Sequence, residues 1–261
     1  VIGASGYLGK TIYKKLSEKM ANVSGTCNSH NTPGLIRVNL TNPTDIQKIY
    51  LQKPDVIIWA VCDRTNELTL SQTGLQKLIQ LIPETTRFVY ISSKLGKGKD
   101  QPEKAIPVLR KESDYLANYF NGKILGEQIV RSHINHVIIR TAIIYGYDLD
   151  GQPDRRMKIL LDCYQAGQKY PRTANLFTSV IHVCDLADAV IEAAESGFKG
   201  TINISAEKPV SYYDLNRYLA ALLGINDNFI TADYKPVPTY ETLDNTLRKR
   251  LLKTPIRELQ F

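Results

Sequence analysis

The stretch VIGASGYLGK, Val1 to Lys10, places glycines at positions 3, 6 and 9. Two apolar residues precede the first glycine, and an amphipathic run from Gly9 to Met20 reads as a helix. A strand end, a glycine turn and a helix start, in that order, make the loop that cradles a dinucleotide diphosphate. Gly3 permits the tight turn, Gly6 close approach of a pyrophosphate, and Gly9 close packing of the helix. The helix N-terminus supplies N–H groups and positive dipole to the phosphates. Ser5, Tyr7 and Leu8 belong to the same cradle. The plain alternative is a tight βα turn with no ligand. A core strand usually needs about five residues, so a methionine and a few strand residues are expected ahead of Val1.

Outward from that loop, short apolar runs alternate with longer amphipathic ones. VSGTC, DVIIWAV, RFVYISS and HVIIRTAIIYG read as strands. PTDIQKIYLQ, SQTGLQKLIQLI and DYLANYFNGKILGEQIVRS read as the helices between them. Such βαβ alternation predicts an α/β protein: a Rossmann-type, doubly wound parallel sheet with helices on both faces. After Gly146 the pattern loosens. SVIHV and GTINIS read as strands, with helices at Met157–Ala166, Cys184–Ser196 and from Ser211, and a helix pair from Thr239. Residues 1–146 and about 180–204 are expected to form the NAD(P)-binding domain. Residues 147–179 and 205–261 are expected to form a smaller, discontinuous α+β substrate lobe.

The hydrophobic share of 43% and charged share of 23% are ordinary globular values. The apolar runs are far too short to span a bilayer. Four cysteines, with no CxxC pair and no His/Cys cluster, read as free thiols in a reducing, cytoplasmic setting, and no metal site is expected. The net charge of +7 is spread along the chain and suits small anionic ligands as well as nucleic acid; with no RNA- or DNA-binding motif in the sequence, nucleic acid is not expected as a partner.

After the second strand an Asp or Glu would accept from the 2′-hydroxyl of NAD. Here the sequence is TCNSHN, with Asn28, Ser29 and His30 and no acid. That favours NADP(H), with NAD(H) the alternative. Asn39 and Leu40 are placed beside the adenine, and Ala60 and Val61, after the third strand, beside the nicotinamide. In NYFNGKILGE, Tyr119 and Lys123 stand four apart, on one helix face. A lysine ammonium there favours the phenolate and lets the tyrosine exchange a proton with a carbonyl or hydroxyl. The fourth strand ends in Ser92 and Ser93, where strand C-termini face the ligand crevice. Arg140 and Thr141 end the following strand; Arg140 either lines the crevice or serves as a structural ion-pair partner.

The chain resembles the extended short-chain dehydrogenase/reductase superfamily, and within it the dTDP-4-dehydrorhamnose reductase-like, sugar-nucleotide-binding branch. GASGYLG, PDVIIWA, FVYISS, NYFNGKILGEQIV, VIIRTAIIYG, IHVCDLADAV and GTINIS carry the resemblance. It implies Ser93, Tyr119 and Lys123 as the catalytic triad, Ser92 as structural, and Lys123 holding the nicotinamide ribose. The implied activity is NADP(H)-dependent reduction of a keto group on a nucleotide-linked sugar. Arg155, Arg156, Lys169 and Arg172 are candidates for the sugar nucleotide, or else solvated surface charges. Alternatives are a sugar-nucleotide epimerase with bound NAD, and a non-catalytic dinucleotide-binding regulator. This fold also often forms a homodimer through the Tyr/Lys helix. Three segments depart from the branch: the stretch between Asp63 and Gln72 is shortened, and two others differ in their residues. Trp59-Ala60-Val61-Cys62 replaces Asn-Ala-Ala-Ala, with Trp59 also readable as core filler. Lys94-Leu95-Gly96 replaces an Asp and an aromatic.

Overall fold

The computed structural model describes residues 1–28, 32–94 and 96–260. Helix α1 (Tyr7–Lys19) follows the glycine loop, and β1 (Thr26–Cys27), β2 (Ile36–Arg37), α2 (Pro43–Tyr50) and β3 (Val56–Trp59) come next. Helix α3 (Glu67–Leu70) runs through a π-helical turn (Ser71–Leu75) into α4 (Gln76–Leu81). Then come β4 (Arg87–Ser93), β5 (Gly98–Gln101), α5 (Ala117–Arg131), β6 (His136–Thr141) and β7 (Ile143–Tyr145). The remainder is α6 (Arg155–Gln165), β8 (Tyr170–Thr173), β9 (Leu176–Thr178), β10 (Val180–His182), α7 (Val183–Glu195), β11 (Gly200–Ile204), β12 (Val210–Ser211), α8 (Tyr212–Leu222), β13 (Ile230–Asp233), β14 (Thr239–Leu243) and α9 (Thr246–Leu251).

The central sheet is parallel, in the order β11-β6-β4-β3. Ile2 bridges Trp59 on the outer side of β3, and Thr26 N–H donates to the Val1 carbonyl, which sets β1 and then β2 beyond it. The strands alternate strictly between two cores, as a sheet covered on both faces must. Val89, Ile91, Val137 and Ile139 face α1 and α7 with Leu8, Ile12, Leu186 and Val190. Phe88, Tyr90, Ile138 and Trp59 face α2, α4 and α5 with Ile46, Leu78 and Val130. Trp59 is 1% exposed and fills this second core. The fold is therefore the doubly wound α/β arrangement that the glycine loop and the alternation predict.

A second sheet, β12-β9-β14-β5, joins the stretch after β4 to the C-terminal part of the chain. Helix α8 contacts β9 and β12 of this sheet and packs with α6 around Tyr145, Met157, Leu160, Leu215 and Leu219.

Three local expectations differ from the structure. Residues 239–243 form a strand rather than a helix, because they complete the ladder between β9 and β5; only α9 of the expected helix pair is present. The long helix begins at Ala117, not Asp114, because Leu116 is held at φ +57°. HVIIRTAIIYG divides after Thr141: β6 stays in the central sheet and β7 pairs instead with β10. Among the described residues no helix is long and apolar enough to cross a membrane.

Candidate active site

A crevice of about 670 Å³ runs along the C-terminal ends of the central strands. One end is the glycine loop. Gly3 sits at φ +82°, a conformation that costs a residue with a side chain strain. A Cβ on Gly3 would press on the Ala60 carbonyl oxygen at 3.2 Å, and one on Gly9 would collide with the Gly3 carbonyl oxygen. Gly9 thus supports the loop from behind and is not on the crevice wall; Gly3, Ser5, Gly6, Tyr7 and Leu8 are. The Tyr7 hydroxyl donates to the Gly146 carbonyl at 2.7 Å and pins the start of α1 to the chain beyond β7. This cradle, whose loop a side chain at position 3 or 9 would displace, fits a dinucleotide diphosphate.

Along the crevice, Asn28 follows β1, Asn39 and Leu40 follow β2, and Ala60 and Val61 follow β3; all five border the cavity. Asn39 is held in a turn, its N–H donating to Asp45 and its side-chain oxygen accepting from Thr41. Ser29 and His30 lie outside the described residues. TCNSHN holds no arginine, yet the structure supplies one from β2, the strand beside β1. The Arg37 Nε of β2 donates to the Asn28 carbonyl at 3.3 Å, and the side chain is exposed. The period-2 pattern of IRV could have revealed it, since Arg37 lies one strand over from the expected ribose site.

The other end of the crevice is built by β4 and α5. Ser93, Tyr119 and Lys123 all border it. The Ser93 hydroxyl lies beside Tyr119, and the Lys123 ammonium lies 5.9 Å from the centre of the Tyr119 ring. Burial pushes the Tyr119 hydroxyl up to about 12; the nearby Cys62 adds to this, while Lys123 and Ser93 oppose it. At neutral pH Tyr119 is therefore a phenol placed to give a proton. Lys123 is 3% exposed. Burial alone would lower its pKa, but the Glu67 carboxylate, with Tyr90 and Tyr119, more than reverses that. Two glycines of NGKILGE allow α5 to sit so close. A Cβ on Gly122 would meet the Glu67 carbonyl carbon at 2.5 Å, and one on Gly126 would collide with the Tyr90 hydroxyl.

Several candidates lie elsewhere. Ser92 donates to Glu127 at 2.7 Å, a structural contact, although the residue also borders the crevice. Arg140 does not line the crevice. It is 1% exposed and paired with Glu127, and its Nη1 donates to the Glu103 and Ala105 carbonyls. Thr141 does border the crevice, with its hydroxyl turned to the Ile204 carbonyl. Arg155 and Lys169 are exposed and off the crevice wall. Arg172 stacks on Tyr170 at 3.2 Å in the β8–β13 pair, also away from it. Arg156 is also off the crevice wall; it donates to the Ile144 carbonyl at 3.1 Å, with Tyr212, Arg64 and Tyr115 nearby. Lys94 is buried and bonds Thr178 at 3.0 Å and Glu241, tying the end of β4 to the second sheet. Cys62 and Glu67, both beside the triad, come from segments that depart from the branch pattern and so carry no motif.

Comparison with known proteins gives three kinds of likeness. The model of the NAD dependent epimerase/dehydratase family matches residues 1–205. Among curated proteins, methionine adenosyltransferase 2 subunit beta of Xenopus laevis is 24% identical over 241 residues, 82% of this chain and 69% of that protein. Among solved structures, the enzyme WbmH of Bordetella bronchiseptica, in complex with NAD+, superposes with a TM-score of 0.79 at 18% identity, covering 99% of this chain and 93% of that one. A hypothetical dTDP-4-dehydrorhamnose reductase from Sulfolobus tokodaii does so with a TM-score of 0.79 at 22% identity, covering 99% and 96%. At such identities these two structures bear on the fold.

Proposed function

We propose, from the premise that this chain belongs to the NAD-dependent epimerase/dehydratase family, that it is an NADP(H)-dependent oxidoreductase reducing the keto group of a nucleotide-linked sugar. The observation that carries the reading is the convergence of Ser93, Tyr119 and Lys123 at one end of a crevice whose other end is the glycine cradle. Gly3 to Leu8 would hold the cofactor diphosphate, Asn39 and Leu40 would flank its adenine, and Ala60 and Val61 would border its nicotinamide. When bound, the nicotinamide supplies the hydride. Ser93 polarises the substrate carbonyl with its hydroxyl. Tyr119, a phenol at working pH, gives its proton to the developing alkoxide. Lys123 anchors the crevice walls through its bonds to the Val61 and Ile91 carbonyls. The Sulfolobus tokodaii likeness adds weight to a nucleotide-linked sugar as substrate.

The NADP(H) preference rests on Arg37. Its guanidinium stands over Asn28, at the β1 end where a ribose 2′-phosphate would be read, and no carboxylate follows β1 in TCNSHN. Arg37→Ala is expected to weaken NADPH binding by about 10- to 100-fold, the worth of a charge-assisted hydrogen bond, and to leave NADH binding within about threefold. Isothermal titration with each cofactor measures this. Equal losses for both cofactors would remove Arg37 from the 2′-phosphate site.

A second reading, a dinucleotide-binding subunit without turnover, is favoured by one specific observation. All three N–H bonds of Lys123 go to groups of the protein itself. The curated relative named as a methionine adenosyltransferase subunit points the same way. Binding of NADPH unaffected by Tyr119→Phe, together with no consumption of it by any substrate, would select this second reading.

A further inference from the structure

Lys123 is held on three sides. Its ammonium donates to the Val61 carbonyl at 2.8 Å, to the Ile91 carbonyl at 3.0 Å, and to a Glu67 carboxylate oxygen at 2.8 Å. Glu67 is 1% exposed. Its second carboxylate oxygen accepts from the Asp63 N–H at 2.8 Å. Helix α5 is fastened to the segment that carries it: Leu68 N–H donates to Asn118, and Ser71 donates to the Gly122 carbonyl. Gly122 leaves no room between the two backbones. The carboxylate is thus built into the site and fixed against the one cation of the triad.

A buried ammonium compensated by a carboxylate at 2.8 Å projects little net field on its surroundings. We propose that Glu67 is a positioning residue of the active site, holding Lys123 against the ends of β3 and β4 and cancelling most of its charge, so that Tyr119 stays a proton donor. The part concerning catalysis rests on the reading of Tyr119 as the donor; the part concerning charge does not. Cys62 follows β3, Ser93 and Tyr90 come from β4, Glu67 from α3, and Arg64 lies on the loop between Cys62 and Glu67. Of these, Glu67 is the group in direct contact with the ammonium, and at Tyr119 it opposes the effect of Lys123.

The test is titration of Tyr119 itself. In protein labelled at tyrosine Cζ, the Tyr119 resonance is assigned by its disappearance in Tyr119→Phe and followed with pH. In the wild type it should remain phenolic to about pH 11. In Glu67→Gln, which removes the charge and, with one acceptor oxygen in place of two, keeps the hydrogen bond from Lys123 while losing that from the Asp63 N–H, its midpoint should fall by about one pH unit or more. If that variant does not fold, Glu67→Asp, which draws the carboxylate back by one methylene, should give a smaller fall in the same direction. A midpoint unmoved in either folded variant overturns the proposal, since a purely structural role would change stability and leave the titration alone. The alkaline limb of kcat/KM is then compared. If the resonance moves and the limb does not, the charge role of Glu67 holds and the reading of Tyr119 as the donor fails.

Discussion

Glu127→Ala is expected to destabilise the protein by about 3–5 kcal/mol, the cost of leaving a buried charge without its partner. Glu127 is fully buried and accepts from three elements at once: Ser92 of β4, both Nε and Nη2 of Arg140 on β6, and Arg131 one turn along α5. Burial pushes its carboxyl up, but the Arg140 hydrogen bonds and charge and the Ser92 hydroxyl bring it below the ordinary value of 4.5. Removing it leaves the Arg140 guanidinium, 1% exposed, with only two backbone carbonyls. Since a domain holds about 5–15 kcal/mol in all, the variant should sit near the folding threshold. Urea denaturation of the single variants and of Glu127→Leu with Arg140→Met measures it. The double variant should be less destabilised than Glu127→Ala, because it removes both charges. The sign with pH follows. A folded pKa below the unfolded one means the contribution is present above about pH 4.5 and is lost as pH falls through the folded value. Wild-type stability should carry this acid limb, and Glu127→Ala should lack it. A loss under about 1 kcal/mol would mean the pair is not what fixes α5 to the sheet.

Tyr119→Phe is expected to lower kcat for the reductase by about 10²- to 10⁴-fold, the usual contribution of a positioned general acid. The substitution deletes one oxygen and keeps the ring, which packs edge-on against Phe120 at 5.1 Å, so the fold should be unaffected. NADPH affinity should stay within about threefold of the wild type, because the glycine cradle is at the other end of the crevice. Kinetics and titration on the same preparation separate the two effects. A large loss of binding with kcat preserved would make Tyr119 a cofactor contact and leave the proton donor to be sought elsewhere.

The parts of this molecule legible in the sequence are those where backbone geometry restricts the residue. Gly3 needs a positive φ, and Gly9, Gly122 and Gly126 stand where a Cβ would strike a neighbour, so each leaves a mark at fixed spacing. The central strands are legible because each buries both faces. Long-range charge pairing leaves no such mark. Nothing in the spacing of Glu127 and Arg140, or of Glu67 and Lys123, tells a buried partner from a solvated one. Arg140 therefore reads equally as crevice wall and as ion-pair member, and Glu67 does not read at all. Arg37 escapes for a related reason: its role depends on which strand lies beside β1. The tail from Thr239 reads as helix because its strand partners, β9 and β5, are remote in the chain.

The most direct measurement is the absorbance of reduced nicotinamide while the protein turns over NADPH with a panel of nucleotide-linked 4-keto sugars, with Tyr119→Phe run in parallel. Stoichiometric consumption with at least one sugar, lost in the variant, is the predicted result. Tight NADPH binding with no consumption across the panel would contradict it, pointing to an epimerase that returns its hydride if a sugar changes configuration and to a non-catalytic subunit if none does.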